Sequence, residues 1–121
     1  MTHDINIHHE DNHESASSYL VGEIKDLFVK SKKDFSIGLS GGNTPKLTYS
    51  MIAKNFDDLS KTFLWTIDDR WIEEDNDLSN QKMINKYFER TDANILKFEF
   101  TSSSPESDAK KYEDKLKSTI Q

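Results

Sequence analysis

Two short polar segments of the chain contain residue types that bind phosphate and move protons. The first, the glycine turn, is SGGNTP at residues 40–45. The second, the polar loop, is DDRWIEEDNDL at residues 68–78, and Ser79 and Asn80 follow it. Adjacent carboxylates can supply a general base and an orienting group, and arginine can hold a phosphate through two parallel hydrogen bonds. These segments are therefore the first candidates for binding and catalysis.

The glycine turn has the backbone properties of an anion-binding turn. Gly41 and Gly42 lack a Cβ atom, so the chain can turn sharply there and approach a ligand closely. Asn43 and Thr44 add polar side chains, and a helix starting at Thr44 would present unpaired N–H groups and a positive dipole end. Neither GxxxxGK[ST] nor GxGxxG is present, which excludes a P-loop and a dinucleotide fingerprint. An ordinary strand-to-helix turn remains the alternative at this point.

The polar loop begins where an apolar segment, TFLWTI, ends. Asp68, Asp69 and Arg70 therefore lie at the carboxyl end of a predicted strand, where ligands bind in open α/β sheets. The glycine turn also follows a predicted strand, so we expect both segments to face one crevice. The alternative is a solvated acidic loop in which Arg70 pairs with a neighbouring carboxylate.

The elements that must position these segments alternate between strand-like and helix-like patterns. Strands are predicted at residues 5–8, 34–40, 62–67 and 95–100. Helices are predicted at residues 12–31 and 44–55, after Ser79, and from Pro105 onward. Parallel strands need helical crossovers, so this alternation predicts an α/β fold: a Rossmann-like parallel sheet with helices on both faces.

Several finer expectations follow from the same patterns. Asp11 is predicted to cap the first helix, with Glu14 completing a capping box, and Thr44 is predicted to cap the second, with Pro45 as its first residue. The strand at 62–67 is apolar almost throughout, which predicts burial on both faces. Residues 36, 38 and 40 form a small-residue face on the strand at 34–40. The helices are expected to turn these apolar residues inward: Ala16, Tyr19, Leu20, Ile24, Leu27 and Phe28; Met83, Ile84, Tyr87 and Phe88; Ala109, Tyr112, Leu116 and Ile120.

The amino-acid composition excludes several classes of protein. The 121 residues fit one domain, and a net charge of −6 argues against nucleic acid and anionic membranes as partners. No apolar run approaches a membrane span, and the first residues lack the pattern of a signal peptide, so we expect a cytoplasmic protein. The absence of cysteine excludes disulfides and thiol chemistry.

The glycine turn and the polar loop together resemble the 6-phosphogluconolactonase family, within a superfamily that includes glucosamine-6-phosphate deaminases and sugar-phosphate-sensing regulators. The lactonases typically read SGG-x-TP, then D-[DE]-R and S-N. The matching residues here are Ser40, Gly41, Gly42, Thr44, Pro45, Asp68, Asp69, Arg70, Ser79 and Asn80. The deaminases usually carry Asp-Glu-Tyr in place of DDR, so Arg70 favours the lactonases.

The resemblance implies hydrolysis of 6-phospho-D-glucono-1,5-lactone to 6-phosphogluconate in the pentose phosphate pathway, without a metal or organic cofactor. It implies that Arg70 anchors the phosphate and that residues 41–44 line the pocket. Asp68, the one catalytic candidate, would orient a sugar hydroxyl or the attacking water. The other expected substrate-binding residues are Asp69, Ser79 and Asn80.

One motif of the resembled family does not occur in these residues. The lactonases carry a later GxGxDGHxAS motif, whose histidine is the expected general base. The four histidines here, at positions 3, 8, 9 and 13, all precede the first core strand. We therefore expect residues 1–121 to be a single domain corresponding to an amino-terminal half, with an incomplete sheet whose open edge invites association. His9 and His13 are four residues apart, but an exposed polar segment is the better interpretation than a metal site.

Three alternatives stay open. A deaminase-isomerase would use Asp68 to abstract a proton. A sugar-phosphate-sensing regulator, or a non-catalytic half-domain that folds with a partner chain, would bind sugar phosphate without turning it over.

Overall fold

A three-stranded parallel sheet with helices packed against it forms the centre of the chain. The computed structural model describes residues 4–31 and 33–120. Its elements are α1 (His13–Lys30), β1 (Phe35–Leu39), α2 (Lys46–Asn55), β2 (Thr62–Thr66), α3 (Asn80–Phe88), β3 (Asn94–Leu96) and α4 (Pro105–Thr119). The strand order is β1-β2-β3, so the predicted α/β class with a parallel sheet is confirmed. Within the described ranges, no helix is long and apolar enough to cross a bilayer.

The hydrophobic core lies between one sheet face and helices α1, α2 and α3. Leu39 and Leu64 extend from the sheet into this layer, where they meet Ile52 from α2 and Ile84 and Phe88 from α3. The predicted inner face of α3 is confirmed, because Met83 and Tyr87 also pack against the core. Burial of these side chains is the main force that holds the glycine turn and the polar loop on a common scaffold.

The opposite sheet face is covered only in part. Phe63 and Trp65 are half-buried there, so the prediction that this strand is buried on both faces is wrong. The physical reason is that α4 buries only Asp108, leaving its apolar stripe half-covered and Ala109 exposed. The predicted small-residue face packs closely only at Gly38, where a Cβ atom would lie 2.8 Å from the indole carbon Cη2 of Trp65, whereas Ser36 and Ser40 are exposed.

The amino-terminal segment departs from the predictions. Residues 5–8 form no strand, and Ile5 and Ile7 are exposed because no sheet edge pairs with them. The cap of α1 is Asn12, whose Oδ1 accepts from Ser15 N at 2.8 Å, one residue later than predicted. The buried positions of α1 are Ser17 and Val21. The predicted inner face of α1 is therefore mostly wrong. Ile24 and Phe28 are half-buried, but the other predicted residues are exposed: Ala16, Tyr19, Leu20 and Leu27.

Two further boundaries differ for local reasons. Helix α2 begins at Lys46 without a side-chain cap, because Lys46 N donates back to Asn43 O at 3.3 Å and Pro45 O accepts the first helical bond. Thr44 is therefore not the cap. Strand β3 ends at Leu96, since Phe98 N donates to the Gln81 side chain instead of to a neighbouring strand.

Candidate active site

The glycine turn and the start of α3 are in direct contact. A Cβ atom at Gly41 would lie 2.6 Å from Asn80 Nδ2 and closer still to Cγ and Oδ1 of the same amide. Only glycine fits at this position with Asn80 in place. At the same sheet edge, Ile67 N donates to Leu39 O at 3.0 Å. The structure thus brings together the ends of β1 and β2 and the two segments that follow these strands.

Asn80 connects three parts of this edge. Its side chain is buried, with Nδ2 donating to Asp68 O at 3.0 Å and Oδ1 accepting from Arg70 Nη1 at 3.2 Å. An aspartate here would lose the donor, and a shorter side chain would lose both bonds. The amide of Asn80 therefore contacts the backbone at Asp68, the guanidinium of Arg70 and Gly41 at once.

Asp69 holds the amino-terminal end of α3. Its carboxylate accepts from Asn80 N at 2.8 Å and Gln81 N at 3.0 Å, and also from Arg70 N at 2.8 Å. Ser79 caps the same helix, with its hydroxyl oxygen accepting from Lys82 N at 3.1 Å. A negative charge is favourable at a helix amino terminus and a capping hydroxyl satisfies an unpaired N–H group, so Asp69 and Ser79 both stabilise the start of α3. Both carboxylate oxygens of Asp69 are thus already bonded to backbone N–H groups.

Arg70 is exposed and oriented by neutral acceptors. Its Nη1 donates to Leu78 O at 3.1 Å and to Asn80 Oδ1. No ion pair among the described residues includes Arg70, so the alternative of a neutralising carboxylate does not hold for this part of the chain. The guanidinium keeps its charge and N–H groups that can point to a ligand.

The remaining candidates are polar and exposed. The carbonyl of Asp68 is held by Thr66 Oγ1 at 2.6 Å and by Asn80, while its carboxylate has no hydrogen-bond partner in the described ranges. Gly42 has φ +91°, a conformation that favours glycine, and is exposed together with Asn43 and Thr44.

Two tyrosines that sequence reasoning did not select also fix this edge. Tyr49 OH donates to Ser40 O at 2.7 Å, and Tyr112 OH donates to Thr66 O at 2.8 Å. Burial raises the pKa of Tyr49, and burial with the nearby charge of Asp69 raises the pKa of Tyr112 to about 12. Both hydroxyls are therefore protonated donors at neutral pH. In the sequence, the only sign of these two residues was that each is an aromatic residue within a predicted helix.

The candidate residues line three different recesses. Gly41 and Thr44 border a largely apolar cavity of about 460 Å³ between α1, β1 and α2. Asp68 lies at a second cavity, of about 330 Å³, beside α4, and Ser79 lies at a third, of about 250 Å³. This arrangement is an open edge rather than one enclosed pocket.

Comparison with known proteins places this geometry in a family. The model of a family described as glucosamine-6-phosphate isomerases/6-phosphogluconolactonase matches residues 8–121. The chain belongs to this family. A 6-phosphogluconolactonase from Synechocystis sp. is 34% identical to it over 90 residues, which cover 71% of this chain and 38% of that protein.

Solved structures of family members share the fold. The 6-phosphogluconolactonase of Thermotoga maritima is 25% identical with a TM-score of 0.76, covering 90% of this chain and 51% of that one. The enzyme from Leishmania guyanensis is 22% identical with a TM-score of 0.78, covering 93% and 50%. The chain therefore spans about half the length of each of these structures and less of the Synechocystis relative. Its sheet is correspondingly partial.

In this family member, a buried carboxylate that sequence reasoning missed lies beside the polar loop. Asp108 accepts from Trp71 Nε1 at 3.0 Å, from Thr101 N at 2.8 Å and from Thr101 Oγ1 at 2.6 Å. The bonds from Thr101 and then from Trp71 hold the pKa of the Asp108 carboxyl below its usual range. In the sequence, Asp108 looks like any polar residue of an exposed helix.

His8 and His9 lie in the segment before α1. His13 borders the cavity beside α1, and His3 lies outside the described residues. His8 stacks on Tyr19, with ring centroids 3.4 Å apart, and contacts Glu10. Within residues 4–31 and 33–120, no group of three or more potential ligands could hold a metal ion.

Proposed function

We propose that this chain forms the phosphate-binding side of a 6-phosphogluconolactonase site, corresponding to the amino-terminal half of the enzyme. The reaction is hydrolysis of 6-phospho-D-glucono-1,5-lactone to 6-phosphogluconate. The observation that carries the proposal is the contact between Gly41, Asn80 and Arg70, which joins both motif segments in a member of this family.

Arg70 and the glycine turn are proposed to bind the phosphate. The guanidinium is exposed, charged and oriented by neutral acceptors, so it can bond a phosphate without first breaking an ion pair. The amino terminus of α2 follows the turn and has no side-chain cap, and Lys46 is its first residue. Its N–H groups and dipole therefore favour an anion beside residues 41–44.

Asp68 is proposed to orient a sugar hydroxyl or the attacking water. Water adds to the lactone carbonyl and gives its proton to a base, and the tetrahedral oxyanion then expels the ring oxygen. That oxygen leaves as the sugar hydroxyl after it takes up a proton. We place the general base on a histidine that a further segment or chain supplies, because the GxGxDGHxAS motif that carries it in the resembled family does not occur in residues 1–121.

Asp69, Ser79 and Asn80 are proposed to act mainly by shaping the site. Asp69 and Ser79 hold the start of α3, and Asn80 holds Arg70 and the glycine turn. Positioning is valuable because ligand affinity rises when the binding groups are ordered beforehand.

The free edge of β1 is the proposed surface for the remaining half of the site. β1 pairs only with β2 in the described sheet, and the largely apolar cavity of about 460 Å³ lies beside it. Exposed Leu20 and Ile67 border the same cavity. The matched structures are about twice as long as this chain, and we propose that a second half of comparable size covers this edge. We place the assembled enzyme in the cytoplasm.

Ligand titration tests the binding part of this proposal. We expect the folded chain to bind 6-phosphogluconate, and to bind gluconate at least tenfold more weakly, because one charge-assisted phosphate contact contributes about 1.5–3 kcal/mol. Arg70→Ala should remove this preference. The matched control is Arg90→Ala, an exposed arginine beyond the opposite end of α3, roughly 13 Å away along the helix. Equal affinities for the two ligands, or unchanged binding by Arg70→Ala, would overturn the proposal.

Lactone hydrolysis against a buffer blank tests the chemistry, because the lactone also opens spontaneously. We expect the blank rate from this chain alone, since the base is absent, and a faster, Arg70-dependent rate when a carboxyl-terminal half from a relative is added. A preference for glucosamine 6-phosphate with turnover would favour the deaminase instead.

A further inference from the structure

We propose that Asp108 and Trp71 are positioning residues for Arg70. The hydrogen bond between them holds the polar loop against α4, and this restraint keeps the Arg70 side chain ordered for its ligand. The identity of the ligand rests on the proposed function above, whereas the order of the Arg70 side chain can be measured without any ligand.

Trp71 restrains the backbone immediately after Arg70. Its indole donates to Asp108 Oδ2 at 3.0 Å, and its ring meets Phe100 edge to face, with centroids 5.1 Å apart. Ile72 N donates back to Arg70 O at 3.0 Å, so the chain turns tightly at this point. The loop backbone carrying Arg70 is thus fixed on its carboxyl-terminal side by a contact to a different element.

Asp108 is unusual within its helix. It is the one residue that α4 buries, and its carboxylate receives three hydrogen bonds. A buried carboxylate without hydrogen-bond donors would be destabilising, so Asp108 requires its bonds from Trp71 and Thr101. We call these three residues the cluster. The cluster joins the polar loop, through Trp71, to the segment before α4, through Thr101.

The Arg70 side chain depends on such a restraint because its own contacts are weak. Its bonds from Nη1, 3.1 and 3.2 Å long, lie at the long end of the usual range, and the residue is exposed. If the loop moves, both acceptors lose their alignment and the side chain becomes mobile. Ordering one mobile arginine on binding weakens affinity about 2- to 12-fold.

A purely structural role makes a different prediction. In that case the cluster only attaches α4, and its removal lowers stability while Arg70 stays ordered. The experiment must therefore measure Arg70 itself. The chain contains one other arginine, Arg90, which is exposed beyond α3 and provides an internal reference for a mobile side chain.

The variants are Trp71→Phe, which keeps the ring contact but removes the indole donor, and Asp108→Asn, which replaces an acceptor oxygen with a donor. The matched control is Trp65→Phe, because the buried Trp65 Nε1 has no partner among the described atoms. The heteronuclear NOE of the Arg70 Nε–H group in 15N-labelled chain reports the order of the side chain. Affinities for 6-phosphogluconate and gluconate are measured on the same samples, with folding checked by circular dichroism.

We expect Arg70 to be ordered in the parent chain and in Trp65→Phe, and to approach the Arg90 value in both cluster variants. Affinity for 6-phosphogluconate should fall about 2- to 12-fold in each cluster variant, and the double variant should lose no more than the single ones. An ordered Arg70 in folded Trp71→Phe would overturn the proposal. Unfolding of both variants would also overturn it, since the contact would then serve the fold as a whole. If the parent chain binds no 6-phosphogluconate, the proposed function fails, while the NOE still decides this inference.

Discussion

Replacing Gly41 by alanine should damage the contact between the glycine turn and α3. The added Cβ atom would lie 2.6 Å from Asn80 Nδ2, and closer to the rest of that amide, so the Asn80 side chain must move. It cannot move freely, because the side chain is buried and bonded to both Asp68 O and Arg70.

The magnitude follows from these contacts. Forcing an extra methyl group into a packed site costs about 1–3 kcal/mol, and losing the neutral bond to Asp68 O adds about 1 kcal/mol. The bond from exposed Arg70 adds less than about 1 kcal/mol. The free energy of unfolding should therefore fall by about 2–5 kcal/mol. At roughly 4 °C per kcal/mol for a chain of this size, the Tm should drop by about 8–20 °C.

Two glycines provide matched controls for this measurement by thermal and urea unfolding. Gly42 has open space but φ +91°, so Gly42→Ala should cost about 1–2 kcal/mol from backbone strain. Gly22 lies within α1 with nothing near its Cβ position, so Gly22→Ala should stabilise the chain by about 0.5–1 kcal/mol. In an Asn80→Ala background, Gly41→Ala should cost much less, because its clash partner is gone. An equal cost in both backgrounds, or a smaller cost than Gly42→Ala, would refute the reasoning.

Three other changes test further contacts by the same unfolding measurements. Thr62→Val should stabilise the chain by about 1 kcal/mol, because the buried Thr62 Oγ1 has no partner among the described atoms; a loss would contradict this. Asp69→Ala should lower the free energy of unfolding by about 1–2 kcal/mol through the lost cap of α3, whereas exposed Asp57→Ala, the control, should change it little. Tyr112 has a folded pKa of about 12, raised from 10.0, so its contribution is complete below pH 10 and is lost as the pH rises from 10 to 12. After allowance for its partial exposure this loss is about 1–2 kcal/mol, and Tyr112→Phe should remove it from the pH profile.

Local signals predicted the helices and the sheet class well. Ser79 caps α3 and Pro105 opens α4 as expected, because capping and the first-turn preference for proline act between residues a few positions apart. The shifts by one residue at Asn12 and Lys46 arise where neighbouring residues compete for the same backbone donors. The predicted strand at residues 5–8 does not form, because a strand needs a neighbouring strand to pair with and the sequence pattern does not supply one.

The sequence by itself determined the two segments of the candidate site: a glycine turn and an acidic, arginine-containing loop, each at the end of a parallel strand. Only the tertiary structure decided how those residues are used. Asp69 is bonded to the start of α3, Asn80 packs against Gly41, and Asp108 holds Trp71 from a helix 37 residues further along the chain. These contacts join positions distant in sequence, and packing and hydrogen bonding depend on distances that composition and periodicity do not encode.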